Sequence, residues 1–254
     1  MDRLLAAMKR TPVIVLVAAS VGGAIAAPAG AITPRPLSIF LVVGQSNAAG
    51  FGQPVPTGQH TNPRVWDLSD GIKRATNPLG DAPGVGFPVT TGIVLARHGL
   101  RVGLVQCASG GLSIDAWQPG ASWYDGCLAR VRNATRYGVI RGILFHQGET
   151  DSGTAAMARA WPGKFRAFVA SIRRDLSDPS LPIVFGLTRD FSGCHGCGLP
   201  YGPLLRGEQR RIRISRVALV AADDLPVSGE HFTPAGYAVL GERYAAAWLM
   251  LNRS

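Results

Sequence analysis

Carboxylates, sulfur and aromatic rings are all scarce in this chain. Of 254 residues only 16 are Asp or Glu, against 26 Lys or Arg, so the formal net charge is +10. Arginine supplies nearly all of that excess and is scattered along the chain. It forms no dense block of the kind that tracks phosphates, which argues against a nucleic-acid partner. There are four cysteines: Cys107, Cys127, Cys194 and Cys197. Cys194-His-Gly-Cys197 has the spacing of a redox motif, but it lies in a glycine-rich loop instead of opening a helix. A zinc site would need a second ligand pair, and none is found. The expectation is therefore no metal and no cofactor. Aromatic residues make up 7%, and no long apolar loop accompanies them, which argues against a lipase.

An apolar run of membrane-spanning length is also missing. The nearest approach begins at Val13 and is broken by Ser20, Gly22 and Gly23, short for a span. Three cations precede it, and Ala24-Ile-Ala26 and Ala29-Gly-Ala31 follow as small-x-small cleavage sites. This is the pattern of a secretory signal over residues 1–31. It predicts a secreted or periplasmic protein with no stable membrane span, and one domain over 32–254. No cysteine near the cleavage region offers a lipid attachment point. Removing 1–31 takes away Arg3, Lys9, Arg10 and Asp2 and leaves a charge of about +8. Export would place the cysteines where disulfides persist. A local bridge at Cys194 and Cys197, with Cys107–Cys127 as a second, is the expected use.

Past the signal, strand-like runs alternate with amphipathic segments. Strands are expected at 37–43, 101–107, 139–145, 182–188 and 216–221. Helices are expected at about 88–98, 121–135, 154–176, 203–212 and 234–250. Thr233 and Pro234 suit the cap and first turn of the last helix. Such alternation predicts an α/β fold with a flavodoxin-like, doubly wound parallel sheet of five strands. Residues 51–87 are rich in Gly, Pro, Asn and Asp and read as a long irregular connection that shapes a site.

Polar residues cluster just past several strand ends: Gly44-Gln-Ser-Asn47, Cys107-Ala-Ser-Gly-Gly-Leu-Ser-Ile114, His146-Gln-Gly-Glu-Thr-Asp151 and Ser228-Gly-Glu-His231. In a parallel sheet these loops share one edge. A serine nucleophile needs a base, an orienting partner and oxyanion donors. Ser46 is the candidate nucleophile, and His231, just before the last helix, is the best-placed of five histidines. The backbone of Ser46 and Gly110 and the amide of Gln147 are candidate oxyanion donors. Asn47, Gly111 and Trp117 are candidate substrate contacts, with Trp117 and the 51–87 connection as a sugar-facing wall. The motif is not the usual nucleophile elbow, because Ala48 stands where that turn wants glycine.

Together GQSN, CASGGLSIDAW, FHQGETD and HFTPAGYAVLGERYA resemble the SGNH hydrolase superfamily. The similarity is to its sialate O-acetylesterase-like and acetylxylan-esterase-like carbohydrate esterases, and it covers nearly all of 37–250. It implies a three-layer α/β/α sandwich and metal-independent removal of O-acetyl groups from carbohydrates. It assigns Ser46 as nucleophile, His231 as base, Gly110 and Gln147 to the oxyanion hole, and Glu149 as the carboxylate of the HQGE block. The family often carries Asp three residues before its catalytic histidine, where this chain has Ser228. The acid must then be Glu149, Asp151, Asp224 or Glu230, and Glu149 is favoured. Without such an acid the chain would be a weak or silent carbohydrate-binding protein. An esterase for other small esters is the remaining alternative.

Overall fold

The first long strand is apolar on both faces, so it has to lie inside a covered sheet. A computed structural model, describing residues 35–56, 61–189 and 197–253, shows that arrangement. The expected signal segment 1–31 and Cys194 lie outside the described residues. In chain order the elements are β1 (Leu37–Gly44), α1 (Ser46–Ala49), β2 (Val65–Asp67), β3 (Lys73–Arg74), α2 (Phe87–Arg97), β4 (Val102–Gln106), α3 (Ser122–Ala134) and β5 (Gly138–His146). There follow α4 (Ala155–Asp175), β6 (Ile183–Gly186), α5 (Gly202–Arg210), β7 (Val217–Val220), β8 (Val227–Ser228), β9 (His231–Phe232) and α6 (Pro234–Leu251).

The main sheet has seven strands in the order β3-β2-β4-β1-β5-β6-β7. All neighbours are parallel except β2 and β3, which are antiparallel. The five expected strands are present in flavodoxin-like order. The expected count of five is corrected to seven, because the 51–87 connection contributes β2 and β3. These are three and two residues long, too short to show any periodicity.

Two cores flank the sheet. Ile39, Leu41 and Val43 of β1 face α3 and α4, whereas Phe40 and Val42 face α2 and α6. On α4 the buried residues Ala158, Trp161, Phe165, Phe168, Val169 and Ile172 recur at helical spacing. Each of the large ones contributes about 1.5–3 kcal/mol by leaving water. Thr233 caps α6, its side-chain oxygen accepting from the Gly236 N–H at 3.2 Å.

Cys107, just past β4, is bonded to Cys127 on α3, and Cys197 is also disulfide-bonded. The Cys107–Cys127 bridge closes a loop with a sequence separation of 20, which stabilises the fold by about 3 kcal/mol on a chain-entropy argument. For a domain of this size a C107S/C127S variant should melt roughly 5–10 °C lower, measured by differential scanning calorimetry. An unchanged melting temperature would show the bridge adds nothing to stability.

Candidate active site

In doubly wound sheets the crevice lies where the strand order reverses, at the carboxyl ends of the strands. Here that point is between the neighbours β1 and β5, since the chain runs from β1 to β4 on one side and from β5 to β6 on the other. At the end of β1 the chain turns at Gly44, which has φ +139°. A Cβ there would run into the carbonyl oxygen of His146 on β5. No other residue allows the chain to leave the sheet this close to its neighbour. The turn delivers Ser46 to the start of the single-turn helix α1, nearly buried at 8% exposure.

Four segments meet around Ser46. A cleft of about 280 Å³ is lined by Gln45, Ser46 and Phe51 from the β1 side, Gly110 and Gly111 past β4, Glu149 and Thr150 past β5, Leu199, and Glu230 and His231 of the β8–β9 hairpin. The structure thus brings Ser46, His231, Glu149, Gly110 and Gly111 to one cavity. Among the described residues, the backbone N–H groups of Ser46, Gly110 and Gly111 make no hydrogen bond. They are donors on the wall of the cleft. The His231 ring is half-buried and lies against Phe51, with centroids 4.9 Å apart. Burial lowers its pKa below the ordinary 6.5, and the charges of Glu149 and Glu230 oppose that without reversing it. The imidazole is therefore neutral at neutral pH.

Glu149 is 4% exposed. Its Oε1 accepts from Asn47 Nδ2 at 2.8 Å and stands 3.4 Å from His146 Nε2. Burial pushes the carboxyl up, but His146 and Asn47 outweigh it and hold the group below its ordinary value. It stays ionised. Its Oε2 is buried and has no hydrogen-bond partner among the described residues. An unmet acceptor of this kind costs about 1–3 kcal/mol. His146 is itself oriented: its Nδ1 lies 3.1 Å from the Tyr244 hydroxyl oxygen, and that hydroxyl donates to the Phe145 carbonyl at 2.6 Å.

The other candidate carboxylates sit elsewhere or face water. Asp224 is exposed and paired with Arg243, which holds its pKa down at about 2. Asp151 is fully buried, and burial holds it above its ordinary value; it accepts from the Ile114 N–H at 2.9 Å. Glu230 lines the cleft but is exposed. Ser228 pairs directly with His231 across the hairpin.

Three sequence expectations need correction. Gln147 is fully buried and outside the cleft. Its amide donates to Gln45 Oε1 and to the Leu112 carbonyl, both at 3.2 Å, and to Asp151, while its Oε1 accepts from Trp161 Nε1 at 2.7 Å. It has no donor left for an oxyanion and serves to hold the loop. Asn47 is also fully buried. It joins Glu149, the Glu230 carbonyl and the Tyr237 hydroxyl, so it ties the hairpin to the β5 loop and does not line the cleft. Trp117 is fully buried in the core beside α3 and forms no wall.

Reading the sequence missed Phe51 against His231, and it missed Gln45. Gln45 Oε1 accepts from the Thr150 N–H at 3.1 Å and from the Gly148 N–H at 3.4 Å, fixing the loop that carries Glu149. Its place in the GQSN motif was the available signal. Among the described residues no cluster of His, Cys, Asp and Glu could hold a metal ion, and no helix is long and apolar enough to cross a membrane.

Residues 36–250 match the family model described as "Carbohydrate esterase, sialic acid-specific acetylesterase". A probable carbohydrate esterase of Arabidopsis thaliana is 30% identical over 244 residues, 84% of this chain and 91% of that protein. The solved structure of that Arabidopsis protein superposes with a TM-score of 0.75 at 28% identity, covering 85% of this chain and 99% of that one. NanS shares the fold at a TM-score of 0.71 and 18% identity, covering 88% and 99%. A carbohydrate acetylesterase from Xanthomonas citri does so at 0.62 and 18%, covering 83% of this chain and 55% of that chain. With its GQSN and HQGE loops at one sheet edge, this chain belongs to the carbohydrate esterase family of sialic acid-specific acetylesterases.

Proposed function

We propose that the protein is an exported serine esterase that removes O-acetyl groups from carbohydrates. The observation that carries this reading is the shared cleft of Ser46, His231, Glu149 and the two glycines. Ser46 Oγ attacks the acetyl carbonyl while neutral His231 takes its proton. The N–H groups of Ser46, Gly110 and Gly111 receive the negative charge that develops on the carbonyl oxygen. The sugar hydroxyl leaves with the proton from His231, and water then releases acetate by the same path in reverse. Glu149, ionised and carrying an unmet acceptor, orients His231 and stabilises the imidazolium that forms. The N-terminal pattern of cations, apolar run and small-x-small sites supports export.

Acetate release from a panel of acetylated glycans tests the reading. Because the base must be unprotonated, kcat/KM should fall as pH drops, along a limb whose midpoint lies below 6.5. A limb centred well above that value would mean that His231 is not the base. A chain that released acetate from no ester would end the proposal.

A further inference from the structure

A second cleft opens off the first. It is larger, about 520 Å³, and Phe51 and Gly110 line both cavities. One wall is the face of α3 that carries Trp123, Arg130 and Asn133; the other comes from the 51–87 connection and carries Asp70, Lys73 and Asp81. The floor is built. Gln106 Nε2 donates to the Ala49 carbonyl at 2.9 Å, its N–H donates to Ser69 Oγ at 3.0 Å, and its carbonyl accepts from Arg130 Nη1 at 2.9 Å.

Trp123 is 38% exposed, while Trp117 and Trp161 are fully buried and Trp248 is 7% exposed. A part-exposed indole in the lining of a cleft of amides, carboxylates and cations is a surface for a sugar ring. The C–H face of a pyranose covers the apolar ring, and its hydroxyls meet the polar rim. The charges across the two walls balance, Asp70 and Asp81 against Lys73 and Arg130. The catalytic cleft adds Glu149 and Glu230, and among the described residues that line it none is Lys or Arg. A sugar carboxylate next to the ester would be repelled there.

We infer that the second cleft is a subsite for the sugars flanking the acetylated residue of an uncharged oligosaccharide, with Trp123 as the stacking platform. This rests on the esterase reading of the neighbouring cleft. Cys127 lies one helical turn beyond Trp123, and its bridge to Cys107 ties that turn of α3 to the loop that leads to Gly110. The platform and the oxyanion donors are thereby held in fixed register.

The experiment compares the full chain with Trp123→Ala and Trp123→Phe. Acetate release is measured on acetylated xylotetraose, O-acetyl sialic acid and p-nitrophenyl acetate, and binding of unacetylated xylotetraose is followed by tryptophan fluorescence. For W123A the ratio of kcat/KM on the tetraose to that on p-nitrophenyl acetate should fall about tenfold, through KM, with W123F keeping most of it. The wild type should prefer the tetraose to the sialic acid ester. An unchanged ratio, or a preference for the anionic sugar, overturns the inference. A wild type inert on all three esters that still binds xylotetraose through Trp123 overturns the esterase reading and keeps the subsite. One that is inert and does not bind overturns both.

Discussion

Replacing Ser46 with alanine should lower kcat for acetyl-ester hydrolysis by at least about 10⁴-fold, as loss of a serine nucleophile does in other hydrolases. The side chain loses one oxygen at a site 8% exposed. The turn that places it depends on Gly44 and the backbone, so the melting temperature should stay within roughly 2 °C. Affinity for an acetylated oligosaccharide, measured by calorimetry, should also persist, because Phe51 and the glycines of the cleft are untouched. Activity lost with binding retained separates nucleophile from scaffold. Equal rates for wild type and variant would remove Ser46 from the chemistry. A wild type that binds acetylated sugar but hydrolyses no acetyl ester would make this a sugar-binding member of the family, the outcome that Ser228 raises.

The parts of the fold that the sequence made legible are those where burial leaves a long signature. β1, β5 and α6 are runs of eight residues or more, and each shows its class by apolar continuity or by spacing. β2, β3 and the single-turn helix at Ser46 have three, two and four residues, too few for any pattern to repeat. Their pairing is decided by neighbours far away in the chain. The site divides in the same way. Which loops meet follows from parallel topology, so Ser46, Glu149, Gly110 and His231 were all nameable from strand ends.

Which way a loop side chain points does not follow. Gln147 and Glu149 are two residues apart in one polar motif, yet the first turns inward to Trp161 and the second lines the cleft. The difference lies in what each must satisfy once the backbone is buried, and that is a property of distant groups. Trp117 and Trp123 show the same limit. Both lie in the connection between β4 and β5, and packing against α3 and α4 buries the first while the second stays open.

Glu149→Gln should cost about 10³- to 10⁴-fold in kcat, whereas Asp224→Asn should stay within about twofold. The amide keeps the shape of the carboxylate but removes the charge that opposes desolvation of His231. With that charge gone, the acid limb of the kcat/KM profile should move to still lower pH, because Glu149 raises the His231 pKa in the wild type. A merely structural role for Glu149 would lower the folded fraction, seen by circular dichroism, without moving the limb. The hairpin supplies a second test. Ser228 and His231 are register partners across Gly229-Glu230, and such partners carry their side chains on one face, with Cβ atoms about 4.5–5.5 Å apart. An aspartate at 228 would therefore stand beside the imidazole and do from the hairpin what Glu149 does from the β5 loop. The double variant E149Q/S228D should recover at least about tenfold over E149Q alone, on the scale that a triad acid contributes. If S228D leaves E149Q as slow as before while Asp224→Asn disables the enzyme, the orienting acid is not Glu149.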